Sequence, residues 1–174
     1  GTALPDSNGT RDDLIAGANL NFTNGQVNNG NIVFGQSANL IGVGVPNGTV
    51  RQQPGVIDFP AAGTQLHALS QQYAALSSNG TSVSGANGVT LTGSDPNLNV
   101  FDLTTAQLEA ANSNTLTISV PAGSTALVNV AGPAASLHDT TFLDSDAART
   151  LLNFDASNIQ MQSLTVQASI LAPS

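Results

Sequence analysis

The sequence predicts a mainly β protein with one long α-helix, and three observations carry that expectation. Six Asn-Gly pairs, at Asn8, Asn24, Asn29, Asn47, Asn79 and Asn87, mark tight turns, because this dipeptide takes positive φ at successive positions with little strain. Several of these turns flank short apolar or alternating runs of strand length. One segment breaks the pattern: from Asp58, "DFPAAGTQLHALSQQYAALSSNG" spaces Leu66, Leu69, Tyr73 and Leu76 by three and four residues.

Taken in order, "NLNF" before Asn24, "NIVFG" after Asn29, "ANLIGVGV" before Asn47 and "GVTLTG" after Asn87 read as short strands joined by corners. The helix is expected over about 58–78, with Asp58 as its cap, Pro60 in the first turn and Asn79-Gly80 as its stop. A weaker helical turn is expected at "TTAQLEAA", 104–111. Alternation returns in "TLTISV" (115–120), "TALVNV" (125–130) and "SLTVQASILAP" (163–173). In the last of these, Leu164, Val166, Ala168 and Ile170 share one face, and Ser163, Thr165, Gln167 and Ser169 the other.

Short strands with frequent corners fit a sandwich or a β-solenoid. The stretch "NFTNGQVNNGNIVFG" favours stacking, since uncharged amides in line can hydrogen-bond from one strand to the next where like charges would repel.

Composition narrows the function. Hydrophobic residues make up 40% of the 174 residues, enough for one domain with a core, 1–174. Charged residues are only 8%, against about 25% in an average soluble protein. Disordered chains combine low hydrophobicity with high charge, the reverse of this balance. The net charge of −8, with Arg11, Arg51 and Arg149 as the only basic residues, argues against nucleic acid or anionic membrane as a partner. No cysteine is present, so disulfides, zinc-thiolate sites and thiol chemistry are excluded. No lysine is present either, which rules out lysine-asparagine isopeptide cross-links and leaves trypsin few sites. No apolar run reaches the length of a membrane span.

The stretches "RDDLIAGANLNFTNGQVNNGNIVFG", "GTVRQQPGVIDFPAAGTQLHALSQQYAALSSNGT", "TLTGSDPNLNVFDL", "LTISVPAGSTALVNVAG" and "LLNFDASNIQMQSLTVQASILAP" together resemble the choice-of-anchor A domain of secreted bacterial surface proteins. The resemblance covers nearly the whole chain, in order. It implies a β-solenoid with one long helix packed alongside, similar to that of ice-binding proteins. It also implies an extracellular or cell-surface setting, and no catalytic residues. The family pattern usually has further strands before Gly1 and after Ser174, so the resemblance predicts that an end of this chain packs against more protein. The partner is a further segment of the parent polypeptide or another copy, and copies joined head to tail form a filament.

Candidate sites are few. Thr90, Thr92, Thr115, Thr117, Ser163 and Thr165 belong to three Thr/Ser-Leu-Thr strands whose hydroxyls, stacked in one sheet, form a flat array able to order water or meet a glycan. Threonine on a solvent face needs no such role, being a good strand former. Asp144 and Asp146 are a calcium candidate, although two carboxylates do not complete six to eight oxygen ligands and no EF-hand spacing is present. No other cofactor is expected. His138, Asp139 and a serine are the only route to a catalytic triad, and no nucleophile-elbow motif supports it. Glu109, the single glutamate, is expected on the solvent side of its helical turn. Asn8, Asn21, Asn47 and Asn79 begin glycosylation sequons, which matter only in a glycosylating host.

The sequence therefore predicts a non-enzymatic extracellular module for adhesion or for a surface layer, matrix or filament. The alternative is an ice- or polysaccharide-binding module using the threonine array.

Overall fold

The computed structural model describes residues 11–173. Their contacts divide into two compact units, with the division between Ala62 and Gly63.

The first unit holds β1 (Asp12–Ala16), β2 (Leu20–Gln26), β3 (Asn31–Phe34), β4 (Ala38–Gly44) and β5 (Val50–Gln52). Alternate strands pair in parallel, as β1-β3-β5 and β2-β4. Side-chain bonds repeat at one interval: Ser37 Oγ donates to Asn19 Oδ1, Asn47 Nδ2 to Asn29 Oδ1, and Thr49 Oγ1 to Asn31 Oδ1, each across 18 residues. Amides thus stack as the sequence predicts, without bringing like charges together, but at the turns rather than from strand to strand: among the residues of these bonds only Asn31 lies in a strand. The same interval brings backbones close. A Cβ on Gly35 would strike the carbonyl of Gly17, and one on Gly48 that of Gly30, so only glycine fits these corners. Ile32 and Val33 are fully buried, while most of β2 and β4 stays partly exposed.

Asp12 and Arg51 tie the first and last of these strands together, with Nη2 2.7 and 2.6 Å from the two carboxylate oxygens. The hydrogen bond from Arg51, helped by one from Asn31, holds the Asp12 carboxyl below the usual carboxylate range against the opposing effect of partial desolvation.

Helix α1 (Phe59–Ala74) starts as expected, with Asp58 Oδ1 accepting from the Ala61 amide at 3.0 Å. It ends at Ala74, short of the predicted 78. The next residues are needed elsewhere: Ser78 Oγ and the amides of Asn79 and Gly80 all donate to the carbonyl of Val100.

The second unit continues through β6 (Thr81–Gly85), β7 (Gly88–Thr92), β8 (Leu98–Thr104), α2 (Thr105–Leu108), a 3₁₀ turn (Glu109–Ala111) and β9 (Thr115–Ser119). It then runs through β10 (Thr125–Ala131), β11 (Ala134–His138), β12 (Thr141–Leu143), β13 (Thr150–Phe154), β14 (Asn158–Gln162) and β15 (Ser169–Leu171). Three sheets result, β6-β7-β9-β12, β8-β10-β13-β15 and β11-β14. Every pairing is parallel except the β6-β7 hairpin. That hairpin turns at Asn87-Gly88, whereas Asn29-Gly30 and Asn47-Gly48 lie between parallel-paired strands and Asn24 is a left-handed interruption inside β2. The Asn8 pair lies outside the described residues.

Alternate residues of these sheets face one interior, among them Leu91, Phe101, Leu116, Ile118, Val128, Leu137, Phe142, Leu152 and Phe154. On the other face of the β8-β10-β13 sheet runs a column of amides. Asn129 Nδ2 donates to Asp102 Oδ1 at 3.2 Å across 27 residues, and Asn153 Nδ2 to Asn129 Oδ1 at 3.0 Å across 24. Helix α1 covers this column. Ser70 Oγ donates to Asn153 Oδ1 at 2.6 Å, and the carbonyls of Ser70 and Tyr73 accept from Asn153 and Asn129. At these polar positions the helix docks through a hydroxyl and its own backbone, while Leu69 and Tyr73 of the apolar stripe are half-buried. Ser70 is its buried residue, and Leu66 remains 46% exposed.

One edge of each sheet is closed by something other than a parallel strand. The antiparallel strand β6 covers β7, and Asn79 covers β8, its side chain bonding the Leu98 carbonyl and the Val100 amide. Glu109 and Asn112 accept from the amides of Ser136 and His138 in β11. Glu109 thus serves as a strand-edge partner, not as the free solvent-facing acid the sequence suggests. Side chains that satisfy edge amides in this way block pairing with other strands.

The closing segment departs from the predicted alternation. Residues 163–168 form no strand, and inside β15 Ile170 is exposed while Leu171 is buried. The phase reverses after Ala168, so Ile170 does not share the face of Leu164, Val166 and Ala168, which pack against the core.

Candidate functional site

The β6-β7-β9-β12 sheet sends Val89, Leu91, Leu116, Ile118 and Phe142 inward. By strand alternation the residues between them face outward. Register then fixes the rows. Thr81, Thr92 and Ser119 stand side by side; so do Val83, Thr90, Thr117 and Leu143; Thr115 stands between Gly88 and Thr141. Neighbouring strands lie about 4.8 Å apart and alternate residues about 6.6 Å along a strand, so this face is a hydroxyl grid interrupted by Val83, Gly88 and Leu143. The hydroxyls of Thr90, Thr92 and Thr117 make no hydrogen bond among the described residues, whereas Thr115 donates to the carbonyl of Asn87 at 3.2 Å.

Four of the six residues singled out in the sequence share this sheet. Ser163 and Thr165 lie outside it, on extended chain after β14, with Ser163 in the left-handed region at φ 54. Thr81, Ser119 and Thr141 join the grid without having been singled out. The alternation of "TSVSG" and the hydroxyls of "DTTFLD" were the available signals; only the pairing register gave them a place in the same rows.

Other candidates are dispersed. Asp146 accepts from the Ala148 amide and lies 3.8 Å from Arg149, while Asp144 occupies a left-handed corner. Among the described residues no group of three or more acidic or histidine side chains is placed to hold a metal ion. His138 Nδ1 lies 3.2 Å from Asp139 Oδ2 and His67 pairs with Gln71, but among the described residues no serine hydroxyl bonds either imidazole. Of the sequons, Asn21 and Asn47 are exposed, Asn79 is committed to the edge of β8, and Asn8 is outside the described residues.

Against this geometry, comparison with known proteins gives one result. The family model described as "Putative Ice-binding-like adhesive domain" matches residues 1–174. The chain belongs to that family. No curated protein and no solved structure matches the chain. An adhesive domain fits a surface or extracellular role. No helix among the described residues is long and apolar enough to cross a membrane.

Proposed function

We propose that this chain is a non-enzymatic module of a secreted or cell-surface protein, serving adhesion or the building of a surface layer, matrix or filament. In this reading the parallel strands stack as a β-solenoid with α1 alongside, and the chain is kin to the choice-of-anchor A domains. The observation that carries it is the repeated register, in which side-chain amides bond from one return of the chain to the next in both units, between turns in the first and between strands in the second. Such a stack gives a stiff, protease-poor body without needing a cofactor. Its partners are further segments of the parent polypeptide or other copies. Two measurements test it together: fractionation of cells carrying the parent protein, and retention of chain-coated beads on those cells. A cytoplasmic parent protein, or beads that bind no better than bare ones, would overturn it.

A second reading is favoured by the Thr90-Thr117 pairing within one sheet: binding of ice or a polysaccharide through the threonine grid. Replacing Thr90, Thr92 and Thr117, which share the sheet, by tyrosine is expected to abolish binding while changing stability by less than about 0.5 kcal/mol per site. A glycan array and a thermal-hysteresis assay read this out, and blank results in both would remove it.

A further inference from the structure

From His138 at the end of β11 to Leu151 in β13 the chain uses residues 139–150, which include β12. The partners of those two residues are Gln162 and Ser169, and the chain between them is only 163–168. Six residues replace twelve over the corresponding path. The shorter path forms no strand, and β12 is hydrogen-bonded to β9 alone. An open groove of about 540 Å³ results between β12 and 163–167.

The groove's chemistry is specific. One wall carries Thr141 and the corner carboxylate of Asp139; the other carries Ser163, Thr165 and Gln167. The side chains of Thr141, Ser163, Thr165 and Gln167 have no hydrogen-bonding partner among the described residues. Asp139 is fixed in a left-handed conformation, φ 49, with a side chain 60% exposed. Half-buried Leu164 supplies apolar surface on one wall, and Phe142, mostly buried, backs the other. No arginine or lysine lines the groove, so an anionic ligand gains nothing there. A ligand that donates and accepts along its edges and presents C–H groups on its face satisfies both kinds of wall. The volume lies within the roughly 300–1,000 Å³ of small-molecule sites.

We propose that this groove binds one or two units of a neutral saccharide, with Asp139 and Gln167 accepting from and donating to its hydroxyls. The proposal rests on the polysaccharide reading above and moves the principal contact from the grid to the groove. The test is amide NMR of the 174-residue chain titrated with maltose, cellobiose, lactose and N,N′-diacetylchitobiose. At least one sugar is expected to shift the amides of 141–143 and 163–167 saturably. The Asp139→Asn/Gln167→Ala double variant is expected to weaken that binding about tenfold, as the loss of one or two hydrogen bonds implies. Asparagine tolerates the left-handed backbone, so an unchanged spectrum elsewhere will show the variant folded. No shift with any of the four sugars overturns the proposal, as does a double variant that binds equally well. Shifts centred on Thr90 and Thr117, lost in Thr90→Tyr/Thr117→Tyr but kept in the double variant, sink the groove and leave the grid reading standing. Shifts at 141–143 with an extended Val/Thr peptide and none with sugars would assign the groove to strand addition instead.

Discussion

The two units solve the same stacking problem with different lengths of chain. In the first, strands recur at 18-residue intervals around a small buried set that includes Ile32 and Val33; its Asn47 to Asn29 bond lies in solvent, whereas Asn31 is buried. In the second, strands on three sheets recur at 24 to 27 residues, except at the last pair, β13-β15, where the return takes 18, and they enclose a continuous core; the Asn153 to Asn129 bond is buried. A longer path encloses more volume, and burial changes what an amide is worth. An exposed amide bond exchanges with water at little net cost, while a buried one that loses its partner leaves an unsatisfied group.

The sharpest way to break the comparison is in the second core. Phe154→Ala is expected to destabilise that unit by about 3–5 kcal/mol, read as a loss of hydrogen-exchange protection in β8, β10 and β13. A loss no larger than that of Ile32→Val in the first unit, about 0.5–1.5 kcal/mol, would mean that the two interiors do not differ as described.

Next is the buried column. Ser70→Ala leaves Asn153 Oδ1 short of a donor under α1, at an expected cost of about 1–3 kcal/mol in chemical denaturation. The same measurement on Asn29→Ala in the exposed column should show under about 0.5 kcal/mol. Equal effects would mean burial does not separate the two columns.

In the first unit the close corners matter more than the amides. Gly48→Ala forces a Cβ into the Gly30 carbonyl and is expected to cost about 1–3 kcal/mol, the range of overpacking, visible as a lowered melting temperature.

The smallest effect is on acid response. Asp12 has a folded-state pKa below its unfolded value, so its stabilisation is present above about pH 3.9 and is lost as pH falls through the lowered folded value. Protection of β1, β3 and β5 should therefore fall over that acid window. Asp12→Asn should flatten the response, and an unchanged acid profile would discount the Asp12-Arg51 tie.

Much of this was legible because local chemistry fixes it. Asp58 and Pro60 start a helix wherever it lies, Thr104 and Gln107 cap the short helix α2, and alternation gives β9 and β10 almost to the residue. Amide-rich runs between apolar residues predicted stacking, and the structure places asparagines in register at 18 and 24 residues. What the sequence by itself determined was a mainly β body with one helix, a charge-poor, acidic surface and threonine-rich outward faces. Only the tertiary structure decided which strands neighbour one another. It turned Glu109 into an edge partner, made Ser70 the buried residue of α1, and put Thr141 beside Thr115 but left Thr165 outside their sheet. The physical reason is that alternation sets which face a residue takes, whereas its neighbour across the sheet depends on how many residues the chain uses to return. That number changes from 27 to 24 within the second unit with no local signal to announce it.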